Sequence, residues 1–355
     1  MNICSQVQAA CIGTKTEVQK SEHVRPGPLF VVGMWRSGTS LLYALLNQNP
    51  QIGLMYESDL PVLSSLFFVP RKSASWMFKW ECWNNALSRH AIDTSRIPRN
   101  ISDLPTAFHA VSTQYAMNKG ATVWGCKSPF YYDRMTKLGR WFPNAKFVVI
   151  WRDPADVCRS IVRAAKKSTW FARSGMDLRA LLGYYRMKQE ADALERRGAS
   201  IHHLQYDDLV RDTPGTMSAI CDFIGIPFDA RMTSLEGADL SALYDGDHHS
   251  MVKSGRVAAN CQHCEVLSPG LKNKIERYVV YWRKKYGGTW QLNAATCDGT
   301  KAASLFERMW DRVRLAHLRC VDRMIPLVFS LMPLSLWRLV RPMKYRTWVA
   351  KLKDY

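Results

Sequence analysis

The segment Gly33-Met-Trp-Arg-Ser-Gly-Thr-Ser40 packs one guanidinium, three hydroxyls and two glycines into eight residues. Its Gly-x-x-x-x-Gly spacing suits a loop whose amides wrap a phosphate-like anion. A helix starting directly after such a loop adds free N–H groups and the positive end of its dipole. A nucleotide kinase needs lysine where Thr39 stands, to reach the β- and γ-phosphates of a triphosphate. Here the cation is Arg36, inside the loop, which argues for an anion of another shape. A plain strand-to-helix turn would not need so many donors. A second set lies in Arg152-Asp-Pro-Ala-Asp-Val-Cys-Arg-Ser160. Asp153-Pro154 opens a helix, Arg152 precedes it, and Ser160 lies two turns in. The arginine fork and the hydroxyl could clamp a second phosphate. Taken alone, a capping Asp-Pro beside a solvated arginine explains the segment as well.

These residues need elements to hold them. Leu29–Gly33 is a short apolar run followed by the loop and by the helical pattern Leu41, Leu42, Leu45, Leu46. Residues 121–125, 146–151 and 200–206 are further apolar runs, each leading toward a helix. Alternation of strands and helices predicts an α/β chain: a P-loop-like three-layer sandwich, its central parallel sheet flanked by helices. Helices are expected over 178–197, 216–223 and 269–286, and a mobile loop over 235–263. Residues 1–27, ending in Arg-Pro-Gly-Pro, are expected to be a flexible arm, 28–290 the main domain, and 291–355 a basic, amphipathic helical extension.

Composition narrows the class. With 355 residues, 47% hydrophobic and 22% charged, the chain can build a sizeable core, which excludes a disordered tail or a disulfide miniprotein. A formal charge of +19 favours partners bearing phosphate, sulfate, nucleic acid or anionic lipid. No apolar leader run opens the sequence, so neither signal peptide nor membrane anchor is expected, and a cytoplasmic, reducing compartment is the default. Cys261-Gln-His-Cys264 has metal-like spacing, with His248, His249 and His263 nearby, but lacks a second ligand pair. The last 55 residues hold 12 Lys/Arg against 4 Asp/Glu around the apolar stretch Ile325–Trp337, which Pro326 and Pro333 interrupt. A helical hairpin on the core, or an interfacial segment resting on anionic lipid, would both account for it.

Together, the Arg36–Ser40 loop and the Arg152–Ser160 segment resemble the 5′-phosphosulfate loop and 3′-phosphate motif of sulfotransferases that use 3′-phosphoadenosine 5′-phosphosulfate (PAPS). The resemblance spans roughly residues 28–286. It extends to Tyr206-Asp-Asp-Leu and to Phe223-Ile-Gly-Ile-Pro-Phe. Order and spacing are most similar to the branch holding tyrosylprotein, glycan and bacterial sulfotransferases. The resemblance implies that Arg36, Ser37, Gly38, Thr39 and Ser40 hold the phosphosulfate. By the same likeness Arg152 and Ser160 hold the 3′-phosphate, Tyr206 lies by the adenine, and Lys253-Ser254-Gly255-Arg256 closes over the nucleotide. It implies Glu57 as the general base, with Asp59 as its neighbouring rival, and Lys127 beside Arg36 as the charge on the transferring sulfuryl group. The cysteine of the family's Cys-Lys pair matches Cys126, whose disulfide partner is replaced here by Leu54 or Met55; that departure favours a reducing compartment.

The implied reaction moves a sulfuryl group from PAPS to an acceptor hydroxyl on a glycan, glycolipid or other small alcohol, releasing 3′,5′-ADP. No metal and no nucleic-acid partner are implied, whereas residues 301–355 could meet an anionic membrane surface, making the chain peripheral there. Trp76, Trp80, Trp83, Trp170 and Phe171 are candidate sugar-stacking walls, although aromatics at helical spacing more often belong to a core. Three rival readings remain: a protein-tyrosine sulfotransferase, a P-loop kinase, and a non-catalytic protein binding anionic glycan or membrane.

Overall fold

The computed structural model describes residues 27–58, 87, 89–92, 104–168, 170–243, 250–255, 257, 265–287 and 301–331. Asp59, Trp76, Trp80, Trp83, His248, His249, Arg256 and the Cys261–Cys264 pair lie outside them. The strands are β1 (Leu29–Gly33), β2 (Ile52–Tyr56), β3 (Val123–Lys127), β4 (Lys146–Trp151) and β5 (Ser200–Gln205). The helices before β5 are α1 (Thr39–Leu46), α2 (Leu104–Asn118), α3 (Met135–Trp141), α4 (Pro154–Ala165) and α5 (Met176–Glu195). After it come α6 (Tyr206–Arg211), α7 (Thr213–Ile224), α8 (Ser250–Lys253), α9 (Pro269–Tyr286) and α10 (Leu305–Leu331).

All five strands are parallel, in the order β2-β3-β1-β4-β5. Side chains of a strand alternate between faces, and β1 divides accordingly. Phe30 and Val32 enter one apolar cluster with α2, α3 and α5, while Leu29 and Val31 enter the other with α1 and α7. A sheet buried on both faces needs near-continuous apolar strands, which is why β1 and β4 stand out in the sequence. The chain leaves β1 at the centre of the sheet, where β3 and β4 part to either side. That is the switch point at which open α/β sheets bind ligands.

The structure departs from the sequence reading in three places. β2 is an extra strand: Ile52–Tyr56 is a five-residue run hidden between α1 and the long segment that leads to α2. The strand expected at 121–125 runs instead from Val123 to Lys127, because Ala121 N–H bonds to Ala116 O and closes α2 first. Lys127 is therefore the last residue of the strand rather than beyond it. Tyr206 begins α6 instead of ending β5. At the C-terminal side, α10 continues through Pro326 to Leu331 as one helix, and residues 332–337 of the apolar stretch lie outside the described residues. A helical proline forfeits one backbone bond and bends a helix without having to end it.

Candidate active site

The loop from Met34 to Gly38 is fixed by its own polar groups. Ser37 donates both its amide (3.1 Å) and its hydroxyl (2.7 Å) to Met34 O. Gly38 adopts φ 98°, where a side chain is strained, and a Cβ there would lie 2.4 Å from Cδ2 of Tyr206. Glycine thus lets the loop close onto Tyr206 and start α1 at Thr39. No side chain caps α1, so its first amides keep their donors for a ligand.

Two poles flank this loop. On the β4 side, Arg36 Nε donates to Ser160 Oγ at 3.0 Å, and Arg152 Nη1 donates to the carbonyl of Arg36 at 3.0 Å. Each motif thus holds the other, across 116 to 124 residues of chain. Asp153 caps α4 by accepting from Ala155 N–H at 2.7 Å, with Pro154 in the first turn. That cap sets Arg152 at the strand tip, its guanidinium 4.3 Å from the ring centre of Tyr206. Arg152 is buried, and among the described residues its Nε has no hydrogen-bond partner. Burial first, and the charge of Arg152 second, bring the Arg36 pKa down to about 10. Arg36 remains charged at neutral pH. The two guanidiniums, Arg152 buried and Arg36 half-buried, oppose each other by like charge.

On the β2–β3 side, register does the placing. Tyr56 pairs with Lys127, so both side chains leave the sheet on the face covered by α1. Lys127 Nζ donates to Glu57 Oε1 at 2.5 Å and to Ser40 Oγ at 3.3 Å, and lies 4.1 Å from the ring centre of Tyr56. The Tyr56 hydroxyl is 3.0 Å from Ser40 Oγ. Lys127 is 1% exposed and Glu57 5%, which makes this a desolvated ion pair rather than a surface one. The Glu57 N–H bonds to Lys127 O at 2.8 Å, extending the β2–β3 ladder by one residue.

Among the described residues, the non-glycine positions with positive φ are Arg36 (66°), Glu57 (47°) and Ala91 (50°). Such backbone costs about 1–3 kcal/mol per residue and persists only where surroundings impose it. Two of the three carry the charged groups of the site. The third follows His90, a residue the sequence reading passed over. The Nε2 of His90 lies 3.2 Å from the Tyr56 N–H and 2.9 Å from its carbonyl, capping the outer edge of β2 just before Glu57. Burial pushes the His90 pKa down to about 4, against a smaller opposing pull from the Tyr56 backbone bond. A lone histidine in the segment between β2 and α2 gives no sequence signal for this contact.

An aromatic wall adjoins the loop. Trp35 meets Phe130, Tyr132 and Trp170 edge-on at 5.8–6.3 Å, and Phe171 lies 5.8 Å beneath Arg36. Of the aromatic candidates read from sequence, Trp170 and Phe171 stand here; Trp35, Phe130 and Tyr132 were not among them. Ser254 is exposed after α8, which packs on α1. Cys126 is buried, register-paired with Met55 and 3.4 Å from Ser58 Oγ. Among the described residues no three His, Cys, Asp or Glu side chains gather as a metal site.

A glycine- and hydroxyl-rich loop between strand and helix, at the switch point of a five-stranded parallel sheet, places the chain in the P-loop-like α/β class. The family model of the sulfotransferase family matches residues 28–230, more than half of the chain, and the protein belongs to that family. A sulfotransferase domain from the curacin biosynthetic pathway is similar in structure, with a TM-score of 0.50 and 17% identity, over 72% of this chain and 97% of that one. The sulfotransferase domain of the Synechococcus PCC 7002 olefin synthase gives 0.44 and 21%, over 72% and 90%. Sulfotransferase STF9 from Mycobacterium avium gives 0.43 and 16%, over 79% and 81%. At these identities the likeness is one of fold. Among curated proteins none matches the chain.

Proposed function

We propose that this sulfotransferase moves a sulfuryl group from PAPS to a hydroxyl on a glycan, glycolipid or other small alcohol, releasing 3′,5′-ADP. One observation carries the reading: a single loop has a buried carboxylate–ammonium pair at one pole, and one buried and one half-buried guanidinium at the other. The Arg152 Nε without a partner and the depressed Arg36 pKa both favour an anionic ligand. Arg152 and Ser160 hold its 3′-phosphate, and Arg36, Thr39 and Ser40, with the amides after Gly38, hold its phosphosulfate. Ser37 contributes by fixing the loop, and Tyr206 by walling the nucleotide side. Ser254 and Arg256 belong to the segment that closes over the nucleotide.

At the other pole Glu57 takes the acceptor proton through Oε2, since Oε1 is held by Lys127. The acceptor oxygen bonds to sulfur as the bond from sulfur to the 5′-phosphate oxygen breaks. Lys127, fixed between Glu57 and Ser40, and Arg36 face the charge that moves onto the leaving phosphate. Groups already aimed at developing charge need no reorganisation during the reaction, which is the largest rate effect such a site can supply.

Thermal unfolding with 3′,5′-ADP or with ATP and Mg²⁺, for wild type and Arg152→Ala, tests the donor. Selective stabilisation by 3′,5′-ADP that the variant loses supports the reading; stabilisation by ATP and Mg²⁺ instead overturns it. Transfer of labelled sulfate from PAPS to simple alcohols, glycans and acidic tyrosine peptides then tests the acceptor. Peptide-only turnover would replace the glycan reading with the tyrosine one.

A further inference from the structure

The side of α10 that faces away from the domain is apolar. Leu305, Phe306, Met309, Trp310 and Val313 are 55–77% exposed. At about 100° per residue they fall, with the exposed Ala316, His317 and Cys320, within one arc of about 140°. No acidic residue lies in that arc. The exposure is not that of a detached helix, because the opposite side is tied down. Asp311 is 2% exposed, accepting from Lys274 Nζ at 2.6 Å and from the Tyr278 hydroxyl at 3.0 Å. Glu307 pairs with Arg277 at 2.6 Å, and Arg308 lies 3.9 Å from the ring centre of Tyr281. The helix is clamped so that its apolar side points outward.

We infer that this face of α10 docks on an anionic lipid surface, lying in the interface with Phe306 and Trp310 inserted. Charge decides between lipid and the alternatives. Exposed Arg312 and Arg314 border the arc on its two sides, Lys301 precedes it, and the whole chain carries +19. A second copy seated face to face would bring these arginines together between two strongly cationic bodies. An anionic surface neutralises them while taking up the apolar arc. Tryptophan and phenylalanine beside arginine is the composition of an interfacial helix. Among the described residues no helix is long and apolar enough to cross a membrane, so the contact is with the surface.

The placement also has a consequence for the site. Leu318 packs beside Gly175, and Arg319 Nη2 donates to the Tyr132 hydroxyl at 3.4 Å. Tyr132 touches Trp35, next to Arg36. The docked helix therefore borders the aromatic wall of the loop, and an acceptor carried in the lipid surface would arrive there. This last step rests on the proposed transfer reaction; the docking itself does not.

Flotation of the full chain with phosphatidylcholine vesicles containing about 30% phosphatidylserine tests the docking. Wild type is expected to float, and Phe306→Ser/Trp310→Ser to lose tenfold or more in partitioning while keeping the wild-type unfolding temperature. Arg312→Glu/Arg314→Glu is expected to lose several-fold, and wild type on pure phosphatidylcholine likewise. Absence of wild-type flotation overturns the inference, as does unchanged flotation of the serine variant, which would mean that general charge alone binds. A wild-type dimer that the serine variant turns into a monomer, seen by light scattering, overturns it in favour of a second copy. None of these readouts requires turnover, so failure of the sulfuryl-transfer reading would leave them unaffected.

Discussion

The two poles of the loop treat a buried cation in opposite ways. Lys127 has its counter-charge built in, with Glu57 at 2.5 Å and Ser40 at 3.3 Å. At the other pole Arg36 donates to the Ser160 hydroxyl and Arg152 to the Arg36 carbonyl, and among the described residues the buried Arg152 Nε has no hydrogen-bond partner. The first pole carries its counter-charge within the fold, and in the proposed reaction its carboxylate takes the acceptor proton. The second is held by hydrogen bonds between the two motifs, and in the proposed reading a ligand anion joins it. A buried ion pair is compensated within the fold itself, whereas clustered like charges suit a bound counter-ion.

The largest expected effect is at the paired pole. Glu57→Gln keeps shape but removes the proton acceptor, and sulfuryl transfer should fall about 10²- to 10⁴-fold, with 3′,5′-ADP binding little changed. Steady-state rates beside a thermal shift would show the split. A parallel loss of binding would mean that Glu57 organises the donor site instead. Next comes stability: Lys127→Ala strands a buried carboxylate and should cost about 3–5 kcal/mol by denaturant unfolding. Glu57→Gln/Lys127→Met should recover most of that loss and none of the activity. If the double variant is as unstable as the single one, the pair is not the unit described.

His90 tests whether the paired pole is also pH-sensitive. In the fold His90 stays neutral down to about pH 4, whereas an unfolded histidine takes up its proton near 6.5. The unfolded state therefore binds more protons between these values, and stability should fall as pH drops from about 6.5 to about 4. The full shift corresponds to about 3 kcal/mol. Arg89 and Lys119 add to the depression and Asp239 opposes it. His90→Asn should flatten this part of the pH–stability curve; an unchanged curve would assign the acid loss to other groups. Smallest in free energy, and confined to the other pole, is Arg152→Ala. It should weaken 3′,5′-ADP binding about 10- to 100-fold by calorimetry, the worth of a charge-assisted hydrogen bond or two. It should leave unliganded stability nearly unchanged, since it also removes one of two adjacent cations that repel each other. A large loss of unliganded stability would show that the arginine pole is structural after all.

How much of this was legible beforehand depends on the range of each interaction. β1, the loop, the Asp153-Pro154 cap and α9 rest on local signals, namely apolar runs, glycine spacing and capping chemistry, and all stand where the sequence placed them. β2 was missed because five apolar residues beside a helix carry no periodicity of their own. β3 was shifted by the turn that ends α2, a competition between two elements for residues 121 and 122. Glu57 and Lys127 were brought into view by the family resemblance. Their mutual bond was not, because it depends on the parallel register that pairs Tyr56 with Lys127.

By itself, then, the sequence determined an α/β chain with an anion loop after its first strand, a second basic motif after a later one, and a strongly positive surface. Those follow from residue type and short spacing, which act within a turn or a strand. Tertiary structure alone decided that Arg36 reaches Ser160 across 124 residues, that Glu57 is held by Lys127 across 70, and that His90 caps β2. It also decided that α10 turns its apolar side outward, because Asp311 is buried against Lys274 and Tyr278. Sheet order, register and helix rotation fix such contacts, and they emerge only when distant segments bury their apolar faces together.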